Sequence, residues 1–209
     1  METGTLKRYT NLASLVSILT NKELTLLDPS KWEDRDDSHY LLRYGKMKGF
    51  KSLYTLCFTK QTETSHHWKA FASGSDGVCI KILTEPFIAK LNSIKEIVHG
   101  DVEYKLIGDV EKKTFSVDRL PFLKRYPFRN EAEYRVLFRK KEASKSKTHA
   151  IPIDTSLIQG ITLSNSLTEE LKAPLVSLLK SIDGCAGIEI SRSTLNESAR
   201  WIRASKRAK

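Results

Sequence analysis

Four short stretches of this sequence bring together residue types able to do chemistry. Glu131-Ala132-Glu133-Tyr134-Arg135 opens a run of strand composition, so Glu131 and Glu133 are expected on one face, about 7 Å apart. Two like carboxylates on one face repel each other and raise a pKa unless a cation or a substrate lies between them. That is expensive in a core and useful in a cleft. The plainer alternative is an exposed sheet face with Arg135 and Arg129 as partners. Arg8-Tyr9-Thr10 stands where a strand runs into a helix, a place where a cation can meet a phosphate or a ribose. Its alternative is a surface arginine. Trp32 precedes Asp34, Asp36 and Asp37, three carboxylates that suit a divalent ion or a loop that caps the next helix through Asp37 or Ser38. His66-His67-Trp68 reads as part of a short helix, on which neighbours point about 100° apart. The two histidines therefore cannot easily grip one metal, and Trp68 is expected to face the core.

Motifs of the familiar nucleotide and hydrolytic enzymes are absent. Neither G-x-x-x-x-G-K-[ST] nor G-x-G-x-x-G occurs, and H-E-x-x-H and G-x-S-x-G are missing too. No metal site is expected.

The elements that must position these residues follow from periodicity and punctuation. Leu6–Tyr9 reads as a first strand, and Asn11 as the cap of a helix with its apolar stripe at Leu12, Leu15, Val16 and Leu19. Glu23–Leu27 is extended again, and a helix is expected around Tyr40–Met47. Ser52–Thr59 and Val78–Leu83 have strand composition, and a helix over Pro86–Leu91 begins with proline at a tolerated position. Val98–Tyr104 and Ala132–Phe138 are predicted strands, with a helix or two between Leu106 and Arg125. Lys140–Lys147 reads as an exposed, mobile loop. Strands follow around Ala150–Ile153 and Gly160–Leu163, the first at a sheet edge because of Pro152. A helix over Thr168–Ser181 and a strand over Gly187–Ile190 complete the pattern. Without a repeating βα unit this predicts an α+β fold: one domain over 1–191 with a mixed, mostly antiparallel sheet and flanking helices, then a basic segment over 192–209.

The chain has 209 residues and a formal net charge of +10, and its basic residues crowd two places. One includes Lys140, Lys141, Lys145 and Lys147; the other holds Arg200, Arg203, Lys206 and Arg207, with Trp201 among them. Such clusters attract a polyanion, nucleic acid above all, through contacts that read phosphate rather than bases. A solvated face is the alternative. Cys57, Cys79 and Cys185 stand without metal spacing and read as buried, reduced thiols in a reducing compartment. No apolar run is long enough to span a bilayer, and the start of the chain does not read as a secretory signal, so a cytoplasmic protein is expected.

In order, Arg8-Tyr9, Glu23-Leu24-Thr25-Leu26, Pro29-Ser30-Lys31-Trp32-Glu33-Asp34, Cys57-Phe58-Thr59, His67-Trp68, Gly77-Val78-Cys79-Ile80, Val102-Glu103-Tyr104 and Glu131-Ala132-Glu133-Tyr134-Arg135 resemble the motifs of a bacterial family known as domain of unknown function 2971. Glu33-Asp34-Arg35 departs from the "N-D-P" of that family, and His67-Trp68 from its frequent Met-Trp. In motif order the chain is also similar to ADP-ribosyltransferases, with Arg8 on the first strand, Thr59 on a middle strand and Glu133 late, Glu131 completing E-x-E. These resemblances imply a split sheet, NAD as substrate, and a toxin or effector of a bacterial defence system, with a partner protein there and a nucleic-acid-associated target. They imply Glu133 and Glu131 as catalytic carboxylates, with Arg8, Tyr9, Thr10, Thr59, Trp32 and His67 around the dinucleotide. A non-catalytic nucleotide- or nucleic-acid-binding module and a metal-dependent nuclease using Asp34, Asp36, Asp37 and Glu131 stand as alternatives.

Overall fold

The computed structural model describes residues 4–207. β1 (Thr5–Asn11) runs into α1 (Leu12–Asn21), where the Asn11 side chain accepts from the Ser14 amide at 2.9 Å, as the sequence predicts. β2 (Glu23–Leu27) follows, then α2 (Arg35–Lys48). The cap of α2 is Asp34, which accepts from the amides of Asp36 and Asp37, each at 3.1 Å. The helix thus starts earlier than its apolar spacing indicated, and Asp37 and Ser38 lie inside it rather than capping it. β3 (Ser52–Thr59) has its expected bounds. α3 (Ser65–Phe71) is capped by Thr64, and β4 (Gly77–Leu83) and α4 (Thr84–Asn92) come next.

The predicted strand over 98–104 is two. β5 (Ile97–Asp101) joins the main sheet, whereas β6 (Glu103–Lys105) pairs in parallel with β7 (Leu123–Arg125) outside it. Between them lie the short α5 (Ile107–Glu111) and a 3-10 turn over Val117–Phe122. β8 (Glu133–Lys140), β9 (Thr148–Pro152), β10 (Ile158–Leu163), α6 (Glu169–Ser181), β11 (Glu189–Arg192) and α7 (Ala199–Ser205) complete the chain. β9 is an edge strand, as Pro152 predicted.

The main sheet is antiparallel except for β10 and β11, in the order β11-β10-β4-β1-β3-β2-β9, with β8 and β5 branching from β3. Its pairing is uneven, and this positions the site. β1 pairs with β4 from Thr5↔Leu83 to Asn11↔Gly77, and β3 pairs with β8 from Ser52↔Lys140 to Thr59↔Glu133. β1 meets β3 only at Lys7↔Thr59, and β2 meets β3 only at Leu27↔Thr55. The sheet therefore parts between β1 and β3. Beneath one face, Leu6, Phe58, Val136 and Ile80 join a continuous apolar core with Leu15, Leu19, Phe87 and Leu179.

One tight point fixes α3 against β4. A Cβ on Gly77 would stand 2.0 Å from the Ala72 carbonyl oxygen, which is backbone and cannot step aside. Gly77→Ala is expected to lower stability by about 1–3 kcal/mol, the usual range for forced overpacking. Urea unfolding of the two proteins checks it.

Candidate active site in the split of the sheet

A cleft of about 260 Å³ opens where β1 and β3 part, and Lys7, Arg8, Tyr9, Trp32, Thr59, His67, Lys124, Glu131 and Glu133 line it. Residues far apart in sequence meet here because β8 lies beside β3 and α3 lies over β1. Thr10, on the same strand as Arg8, does not reach the cleft lining; it pairs with Val78. Sequence reasoning passed over Lys7, Cys57, Phe71 and Lys124, which also line it.

Glu131 and Glu133 do not share a strand. Glu131 ends a 3-10 turn over Tyr126–Glu131, and Glu133 opens β8. Between them Ala132 takes φ 40°, a left-handed conformation that non-glycine residues adopt at a cost. Neighbours hold this kink in place. The Thr59 hydroxyl donates to the Ala132 carbonyl at 3.2 Å, His67 Nε2 lies 3.0 Å from the Glu131 carbonyl, and the Glu133 amide donates to the Tyr104 hydroxyl at 2.8 Å.

His67 is buried, and its tautomer follows from its partners. The carbonyl oxygen of Glu131 can only accept, so Nε2 carries the proton. Nδ1 then accepts from the Thr64 hydroxyl, 2.6 Å away, while that oxygen accepts from the His67 amide. Burial pushes the His67 pKa below its ordinary value. His67 thus steers the backbone of Glu131 and also stacks on the Tyr9 ring, with centroids 5.2 Å apart. Trp68 packs on Tyr9, Ala72 and Cys79, as expected of a core-facing ring.

The carboxylates belong to a buried network. Arg135, expected at most as an exposed partner, is fully buried and binds Glu133 at 2.5 and 2.8 Å and Asp37 at 2.8 and 2.6 Å. Arg129 takes no part, and its guanidinium lies over the Tyr126 ring. Lys124 lies 2.6 Å from Glu131, 3.4 Å from Asp37 and 3.5 Å from Glu133. Three carboxylates face two cations, so the network carries one formal negative charge in excess. Burial opposes ionisation of Glu133, yet Arg135 and Lys124 outweigh it and hold the pKa down to about 2. Burial instead raises the pKa of Glu131, which Lys124 only partly offsets.

The metal alternative finds its carboxylates otherwise engaged. Asp34 caps α2, Asp36 pairs with Arg125 at 3.0 Å, and Asp37 is held by Arg135. Among the described residues no group of three or more His, Cys, Asp or Glu side chains is arranged to hold a metal ion.

Two cations of β1, Lys7 and Arg8, line the same cleft. Arg8 projects from the core-facing side of β1 and reaches through the split, donating to the Cys57 carbonyl at 3.1 Å. Burial lowers its pKa, and no carboxylate among the described residues pairs with it. Two hydroxyls in the cleft wall, of Tyr9 and Thr55, are buried without a hydrogen-bond partner among the described residues. Trp32, half-buried with the Arg135 guanidinium over its ring, and the exposed Phe71 present aromatic surface to the cleft, whereas the Tyr9 ring is taken up by His67 and Trp68.

The basic clusters lie elsewhere. Lys140 ends β8, and Lys141, Lys145 and Lys147 follow it in the loop to β9. That loop is pinned rather than loose: Ser52 Oγ donates to the Glu142 carbonyl, the Ser144 amide donates to Ser52 Oγ, and Tyr54 donates to the Ser146 carbonyl. Arg200 and Arg203 lie on the exposed α7, with Lys206 and Arg207 just after it. The first cluster leads into β9, at one end of the strand order, and the second follows β11, at the other. Cys79 and Cys185 are buried, Cys57 half-buried, and all three are free thiols.

Fold and site together define an α+β domain whose mixed sheet parts around a cleft lined by both carboxylates and cations. No family model matches the chain, and no curated protein matches it. Among solved structures, DarT of Thermus sp. 2.9 in complex with NAD+ is similar, at 14% identity and a TM-score of 0.48, over 92% of this chain and 96% of that one. The same Thermus protein in complex with ADP-ribosylated single-stranded DNA gives 14% identity and a TM-score of 0.48, over 92% and 95% of the two chains. No helix among the described residues is long and apolar enough to cross a membrane.

Proposed function

We propose that this chain is an ADP-ribosyltransferase-like enzyme that takes NAD into the split cleft and transfers ADP-ribose to nucleic acid or a nucleic-acid-associated target. The observation that carries this reading is the charge arrangement of one cleft: a carboxylate network with one negative charge in excess, and in the same cleft a half-buried Arg8 with no carboxylate partner among the described residues. A half-buried guanidinium with no carboxylate partner keeps donors for an anionic group.

NAD supplies the matching pattern. As the bond between nicotinamide and ribose breaks, its electron pair leaves with neutral nicotinamide, and positive charge develops on the sugar. A fixed negative charge stabilises that transition state more than the ground state. Glu133, ionised and immobilised, supplies the field. Glu131, the carboxylate whose proton affinity burial raises, stands ready to take the proton of the attacking group. Arg8 holds phosphate or the adenine ribose, and Trp32 offers a stacking surface. Membership of the family known as domain of unknown function 2971, a cytoplasmic setting, and a toxin or defence role with a partner protein belong to the same proposal.

The test is incubation with labelled NAD and single-stranded DNA, RNA and cell protein, the first two prompted by the ligands of the Thermus DarT structures. Release of nicotinamide or transfer of label is expected. A second reading, a nucleotide-binding module without turnover, draws on Arg135 occupying both oxygens of Glu133. Ligand-dependent melting with no nicotinamide release would establish it.

The target side of the proposal rests on the two basic clusters. Single- and double-stranded oligonucleotides are expected to bind without sequence preference and to be released as salt rises from low to physiological. Removing residues 194–209 should weaken binding and flatten its salt dependence. Affinity that ignores both salt and the truncation would assign the charge to solubility alone.

A further inference from the structure

A single row of directly paired residues crosses the sheet: Glu133 on β8, Thr59 on β3, Lys7 on β1, Lys81 on β4, Gly160 on β10 and Glu189 on β11. Directly paired residues project to the same face. With strands about 4.8 Å apart, Lys7 stands roughly 10 Å from Glu133 along the row, and Lys81 one strand further.

Lys7 and Lys81 are the unusual members. Like charges directly opposite each other on a sheet are destabilising. Burial and the neighbouring Lys81 charge lower the Lys7 pKa. Among the described residues neither ammonium has a carboxylate partner within 4.0 Å, and the next carboxylate in the row, Glu189, lies beyond Gly160. Gly160 has no side chain of its own to set beside Lys81, and the space where its Cβ would stand is bounded by the Glu189 carbonyl oxygen at 3.2 Å. Lys7 lines the cleft itself, and Lys81 stands directly opposite it on β4, just outside the cleft lining.

We propose that Lys7 and Lys81 form a phosphate-binding pair that holds the pyrophosphate of the dinucleotide where it leaves the split. The row then sets the direction of the ligand, with the glycosidic bond at Glu133, the sugar hydroxyls over Thr59 and the phosphates at the ammonium pair. This rests on the reading of the cleft as a dinucleotide site, and it adds two positioning residues that read phosphate.

The experiment measures binding of ADP-ribose, inorganic pyrophosphate, adenosine and an oligonucleotide to the wild-type chain, Lys81→Gln and Lys7→Gln. Each substitution is expected to weaken ADP-ribose and pyrophosphate roughly tenfold, the loss of one charge-assisted contact, and to leave adenosine unchanged. Melting of the ligand-free variants should stay level or rise, because a repulsion is removed; a merely structural lysine would lower it. Unchanged ADP-ribose affinity in both variants, no pyrophosphate binding by the wild type, or a loss confined to the oligonucleotide would overturn the proposal. None of these readouts needs turnover, so failure to cleave NAD would count against the enzyme and leave the phosphate pair standing.

Discussion

Arg135→Leu is expected to lose about 3–5 kcal/mol of stability, the usual consequence of removing one partner from a buried ionic network. All the donors of this guanidinium are engaged: with Glu133, with Asp37, and with the Pro121 carbonyl at 2.9 Å. Leucine would leave Asp37 and Glu133 buried with only Lys124 nearby, at 3.4 and 3.5 Å. Arg135→Lys keeps the charge but not the planar fork, and should fall between the two. Urea unfolding measures the series, and a leucine variant with the wild-type midpoint would show that the network does not hold the fold.

The pH dependence of the same network has a definite sign. Glu133 has its folded pKa lowered to about 2 from 4.5, so its contribution is complete above about pH 4.5 and disappears as pH falls through 2. Glu131 acts oppositely: its pKa is raised on folding, so its contribution is present at low pH and lost as pH rises through the folded value. Acid unfolding should therefore begin below pH 4.5 in the wild type; in Arg135→Leu, Glu133 loses the cation that holds its pKa down, so the stability gap between the two proteins should narrow as pH falls.

The second large effect is on catalysis. Glu131→Gln is expected to reduce NAD cleavage by roughly a hundred- to a thousandfold, the range for losing one group that stabilises transition-state charge. Its side chain is only partly exposed, but glutamine has the same shape and can still accept from Lys124, so folding should be retained. The substitution removes the excess negative charge of the network without touching Arg135. Glu133→Gln should also lower the rate, but with a loss of stability, because its amide group would face the guanidinium. In the wild type, protonation of Glu131 should place the acid limb of kcat/KM higher than an unperturbed glutamate would, because burial raises its pKa. That limb should vanish in Glu131→Gln. A Glu131→Gln enzyme with wild-type rate and pH profile would remove this carboxylate from the reaction.

Local signals in the sequence determined much of the scaffold. The residue pattern over 52–59 marked β3, a side-chain oxygen at Asn11 announced α1, and Pro152 marked β9 as an edge. Each depends on neighbours within a turn or two, which is the range over which alternation, capping and a missing amide act. The residue types of the cleft were also visible: Arg8, Trp32, Thr59, His67, Glu131 and Glu133 all line it. An arginine within the otherwise apolar Tyr134–Phe138 hinted that something unusual was buried there.

The tertiary structure decided what these residues meet. Asp37 looked like a loop carboxylate, yet it binds Arg135 from 98 positions away, because α2 packs beside the turn that precedes β7. The kink at Ala132 set Glu131 off the strand of Glu133, a conformation that alanine does not choose by itself and that Thr59, His67 and Tyr104 impose. Nothing in the sequence singles out Lys7 and Lys81; the register of β1 and β4 is what places them side by side. Strand order and register come from the summed burial of many distant side chains, so no local pattern carries them. The split between β1 and β3, where the cleft opens, is a property of that pairing alone.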